Sequence, residues 1–108
     1  MPHGKLRSDR LLPSRRGEFA EAVEWYDERR PGLGQEFEAD VYAAADTLAA
    51  HPNAWTRWPG LRDVRVFPMD RFPFLIPYAL VKEGVLILAV AHAKRRPGYW
   101  RSRRPASA

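Results

Sequence analysis

Residues 90–100 read VAHAKRRPGYW and gather the side chains best suited to chemistry: His92, then Lys94, Arg95 and Arg96, then Tyr99 and Trp100. Cations at this density attract phosphate, and an imidazole or phenol beside them can move protons. The same run also reads as an apolar strand that ends in a solvated basic tail. Other chemistries are poorly served. The chain has no cysteine, which removes thiol nucleophiles, thiolate metal sites and disulfides together. Its three histidines, at positions 3, 51 and 92, are too dispersed for a metal centre, so neither metal nor cofactor is expected. Glu18, Glu21, Glu24 and Glu28 have the spacing of a solvated helix face, not of a paired-carboxylate catalyst.

The elements that must position these residues fit one domain, since a chain of 108 residues has room for a single core. Residues 1–100 are assigned to that domain and 101–108, RSRRPASA, to a basic flexible tail. With 45% hydrophobic and 29% charged residues the composition is that of a globular protein. The net charge of +5 is carried mainly by the two ends of the chain and favours a polyanion or an acidic protein partner. No stretch has the roughly 18 apolar residues of a membrane span, so a cytoplasmic setting is expected.

A helix is predicted from Ser14, a suitable N-cap, with Phe19, Val23 and Tyr26 at helical spacing and Ala22 and Trp25 widening the stripe. Pro31, Gly32 and Gly34 end it. A second helix runs from about Gln35 with Phe37, Val41, Ala44 and Leu48 inward, until His51 and Pro52 stop it. The period then changes. LRDVRVFPMD alternates around Val64 and Val66, RFPFLIPYALV is a longer apolar run, and VLILAVAHA a third, with Lys82, Glu83 and Gly84 as the hairpin turn between the last two. A brief strand could also precede Pro13. Helices first and strands afterwards give an α+β fold, an N-terminal helical hairpin packed on a small twisted antiparallel β-sheet.

The order of these elements, with the strings EAVEWYDERRPGLGQEF, RFPFLIPYAL and VLILAVAHAKRRPGYW, resembles the RelE/ParE superfamily, the plasmid-stabilisation toxins of type II toxin–antitoxin systems, over roughly residues 10–100. The resemblance implies a toxin held inactive by a cognate antitoxin, a small acidic protein. It implies as target either the ribosome with its mRNA, cut by a metal-independent endoribonuclease, or DNA gyrase, poisoned without catalysis. A degenerate toxin that keeps only antitoxin binding is a third possibility.

For an RNA-cleaving member, the positions that match give Arg96, Tyr99, His92 and Arg65 as the catalytic set. Arg65, Arg71 and Arg96 then hold the phosphate, and Tyr99 or His92 is the acid–base group. Arg71, Lys94, Arg95 and Arg101 are the corresponding nucleic-acid-binding candidates. Two departures from the superfamily pattern favour the gyrase alternative or a degenerate toxin. The lysine pair typical of ribosome-dependent members is missing, only Lys82 and Lys94 lying in the sheet half, and Pro77 and Ala79 stand where relatives often carry tyrosine and arginine. Pro77 cannot donate a ladder hydrogen bond, so its strand is expected to bulge there or to lie at an edge.

Overall fold

The computed structural model describes residues 13–82 and 84–105. The strand expected before Pro13 lies outside them. Helix α1 spans Pro13–Arg29 and starts one residue ahead of Ser14, with a proline at its first position, where a missing N–H costs nothing. Helix α2 spans Leu33–Ala50 and buries Phe37, Val41, Ala44 and Leu48, the stripe its sequence predicts.

The turn between the helices depends on Gly34. Its N–H donates to Asp27 Oδ1 at 2.7 Å. A β-carbon there would lie 2.8 Å from the same oxygen and collide with the Val23 carbonyl. Only a glycine lets the two helices approach so closely.

Four strands follow: β1, Val64–Pro68; β2, Phe74–Val81; β3, Gly84–Ile87; β4, Ala91–His92. All pairings are antiparallel, and β2 is central, with β1 on one side and β3 then β4 along the other. The edge position considered for Pro77 is therefore wrong, and the run VLILAVAHA is two strands instead of one. The reason is a bulge. Tyr78 faces Ile87 and Leu75 faces Ala91, so Ile76 and Pro77 oppose three residues, Leu88, Ala89 and Val90.

Pro77 fits because its polar groups face this irregular stretch, where its carbonyl accepts from Leu88 N–H at 2.9 Å. On the other side it faces Val66, whose N–H points away to the Thr56 carbonyl. No ladder bond needs the N–H that proline lacks.

Apolar residues cover both faces of the sheet. The helices close over Phe74, Ile76, Tyr78, Val85 and Ile87. On the opposite face Trp100 packs with Val64, Leu88, Ala89 and Ala91, beneath Trp58 and Leu61 from the connection between α2 and β1. Trp25 departs from its expected place in the helix stripe. It is 50% exposed, set edge-on to Tyr26 at 5.1 Å and capped by the Arg29 guanidinium 3.5 Å from its ring centroid. Tyr26, its neighbour, takes the inward position against Phe37, Phe72 and Phe74.

Candidate functional site

The cationic segment after β4 is a fixed loop. Ala93 N–H bonds the Pro73 carbonyl at 2.8 Å and Arg95 N–H the His92 carbonyl at 2.9 Å. Gly98 then reverses the chain at φ 78°, where a β-carbon would meet Arg101 Nε at 2.8 Å. Trp100, 1% exposed, locks the far end, edge-on to Trp58 at 4.9 Å between ring centroids. Burial of so large a ring is what turns a basic tail into a shaped surface.

His92 stands edge-on to Phe74 with centroids 5.0 Å apart. Its Nδ1 accepts the Lys94 N–H at 3.1 Å, so a neutral ring carries its proton on Nε2. Arg95 lies 3.9 Å over the Tyr99 ring centroid and donates to Glu18 Oε2 at 3.0 Å. Arg103 reaches Glu18 Oε1 at 3.1 Å and the Leu88 carbonyl at 3.3 Å, and lies 5.1 Å from the Tyr99 centroid.

The phenol of Tyr99 is thus boxed by two guanidiniums and one carboxylate. Burial first, and then the charge of Glu18, raise its pKa, while Arg95 and Arg103 oppose them. A phenol in this setting keeps its proton and serves as a donor, not as a base. Arg96 and Lys94 are exposed and their side chains have no partner among the described residues, which leaves them as the loop's available cations.

Two hollows flank the loop. A groove of about 580 Å³ between α1 and the sheet is walled by Trp25, Tyr26, Phe74, His92, Arg95 and Tyr99. A notch of about 60 Å³ on the other side is bounded by His92, Arg95, Arg96, Pro97 and Trp100. Within reach of one ligand there, the protein offers an imidazole N–H, cationic groups and aromatic surface.

Of the sequence candidates, His92, Arg95, Arg96 and Tyr99 line these hollows, and Lys94 joins them only through its N–H to His92. Arg65 and Arg71 do not join them. Arg65 donates to the Trp55 carbonyl at 2.6 Å and lines a separate hollow beside Tyr78. Arg71 is engaged by Glu36 at 2.7 Å and by Asp40 at 3.8 Å. The bond to Arg71 holds the Glu36 carboxyl below its ordinary pKa. Arg101 begins a 3₁₀ turn, Arg101–Arg103, in the stretch expected to be a flexible tail. The turn forms because Arg103 finds Glu18, and Arg104 finds Asp63 at 3.0 Å.

Glu18 and Arg103 escaped the sequence reading. Glu18 was grouped with the solvated helix charges, although its position four residues before Ala22 and seven before Trp25 puts it on the groove side. Its partner lies 85 residues away, a distance over which no local pattern operates.

A helical hairpin over an antiparallel sheet, with a cationic and aromatic loop after the last strand, defines the toxin fold expected from the resemblance. The chain belongs to the family described as the ParE toxin of the type II toxin–antitoxin system parDE, whose pattern matches residues 10–97. Membership makes it the toxin half of such a pair and implies a cognate antitoxin. No curated protein matches the chain. No described helix is long and apolar enough to cross a membrane.

Proposed function

We propose that this toxin arrests growth by docking on DNA gyrase through the loop after β4, without cutting RNA. One observation carries the reading: of the set needed for RNA cleavage, two of the three phosphate-holding arginines lie away from the acid–base candidates His92 and Tyr99. Arg65 and Arg71 sit in other contacts, and the Tyr99 ring is held between guanidiniums tied to Glu18. What remains at the loop is a shaped cationic surface, which suits binding better than proton transfer.

Purified toxin, incubated with gyrase and supercoiled plasmid, should accumulate protein-linked linear DNA, and Arg96→Glu should abolish it. Intact supercoiling activity with no trapped cleavage complex at saturating toxin rejects the proposal. A gyrase target puts the toxin in the cytoplasm.

A second reading rests on His92, whose Nε2–H shares the notch with Arg95 and Arg96. It is ribosome-dependent mRNA cleavage with the His92 Nε2–H hydrogen-bonding the charge that develops on the phosphate. Cleaved message in a translating extract, lost in His92→Ala, supports that reading over docking.

The antitoxin is proposed to be acidic, with carboxylates on Lys94 and Arg96 and apolar side chains in the groove beside Trp25, whose ring stays half-exposed despite the Arg29 cap.

A further inference from the structure

At the foot of α2, away from the loop after β4, lies a hollow of about 180 Å³ lined by Arg57, Arg62, Arg65, Asn53, Tyr78 and Leu80. Its construction is unusual in one respect. Arg57 and Arg65 form an antiparallel bridge and so stand directly opposite each other on one face. Like charges placed directly across a sheet repel and destabilise the pair.

Only one described carboxylate offsets that repulsion. Asp63 lines the hollow and accepts from Arg104 through Oδ1 at 3.0 Å, so it is shared between that arginine and the three of the hollow. Arg57 and Arg62 are exposed and without a partner among the described residues. Arg65 gives one N–H to the Trp55 carbonyl and keeps the rest of its fork free. The Tyr78 hydroxyl donates to the Pro52 carbonyl at 2.7 Å, which fixes the floor.

We propose that this hollow binds a phosphate group of a polynucleotide backbone, at a site distinct from the loop after β4. A carboxylate presents two oxygens in one plane and saturates a single guanidinium fork. A phosphate presents oxygens in several directions and meets all three arginines at once. Leu80, exposed at the rim, offers apolar surface to the adjoining sugar or base, and the net charge of +5 steers polyanions toward the protein. The site acts whichever macromolecule the toxin poisons.

The test uses the full purified chain and its Arg57→Gln/Arg62→Gln variant, which changes only exposed side chains. Inorganic phosphate and a short labelled single-stranded oligonucleotide are titrated separately, with guanidinium N–H resonances and fluorescence anisotropy as readouts. Both ligands should saturate on Arg57, Arg62 and Arg65, the oligonucleotide more tightly. The variant should lose phosphate binding and weaken the oligonucleotide about tenfold. Its slope of log affinity against log salt should fall by about 0.7, the value for one phosphate of a single strand.

At low salt the single variant Arg57→Gln should melt higher than wild type, because one of the facing charges is gone. Unchanged affinities in the double variant overturn the proposal. So does an oligonucleotide that binds no more tightly than free phosphate, or saturation of the three arginines by a glutamate-rich peptide alone. None of these measurements contains gyrase or ribosomes, so their failure is separable from failure of the docking proposal.

Discussion

Replacing Glu18 by alanine should uncouple the loop after β4 from α1. The carboxylate accepts from Arg95 at 3.0 Å and from two nitrogens of Arg103 at 3.1 and 3.3 Å. Glu18 and Arg103 are each only 17% exposed at the side chain. An exposed ion pair contributes about 0 to 1 kcal/mol, and breaking a fully buried one costs about 3 to 5 kcal/mol. This pair falls between them, since Arg103 loses its charge partner but keeps the Leu88 carbonyl.

The expected loss is about 2.5 kcal/mol, within the range for hydrogen bonds to charged groups when a partner is left behind. For a domain of this size that is a fall in Tm of about 10 °C. Thermal melts of Glu18→Ala, Arg103→Ala and the double variant, read as a double-mutant cycle, isolate the pair from general loosening. The coupling should be about 1 to 2 kcal/mol. A coupling near zero, with Glu18→Ala melting within a degree or two of wild type, would refute the account of the loop as clamped by Glu18.

Four further outcomes follow from other contacts. Gly34→Ala should cost about 1 to 3 kcal/mol by driving a methyl into the Val23 carbonyl and Asp27, a loss that chemical denaturation will measure. Trp100→Ala should cost about 3 to 5 kcal/mol and release the loop, seen as rapid amide exchange across residues 93–99. Tyr78→Phe should flatten the alkaline limb of the Tm–pH curve. Burial raises the Tyr78 pKa in the fold, so above the unfolded value near pH 10 the native state holds a proton the unfolded chain has lost, and stability declines until the raised pKa is passed. In cells, Arg96→Gln should relieve growth arrest and Arg71→Gln should not, because Arg71 is committed to Glu36 and Asp40; equal relief by both would contradict the placement of the docking surface.

The fold was legible because its main elements carry local signals. The α2 stripe of Phe37, Val41, Ala44 and Leu48 buries as its spacing predicts, and glycine and proline mark the turn between the helices. Trp25 misled because helical spacing gives a direction, not a depth, and Tyr26 beside it took the core. Pro77 left two readings, a bulge or an edge, because a missing donor can be accommodated by either; the bulge lies in the partner strand, and the strand of Pro77 is central.

Half of the site was legible as well. His92, Arg95, Arg96 and Tyr99 come together because they are neighbours in sequence. Whether Arg65 or Arg71 joins them depends on strand register and on which carboxylates lie near, and neither is written locally. Glu18 with Arg103, and Arg57 facing Arg65, are meetings made only by the closed chain.

The bulge opposite Pro77 also acts as a phase shift. Along β3 the odd-numbered residues, Val85 and Ile87, share the helix-facing side with Tyr78. One extra residue later the parity has changed, and Val90 and His92 take that side, His92 level with Phe74. A register slip that closed the bulge with every residue kept would put Ala91 opposite Phe74 and turn the imidazole to the opposite face, whereas loss of one bulge residue would leave His92 level with Phe74. The extra residue is therefore slack in the ladder: loss of one residue among Leu88, Ala89 and Val90 straightens the strand and leaves the imidazole on the groove wall, so this stretch can change length by one without changing the chemistry that the groove presents.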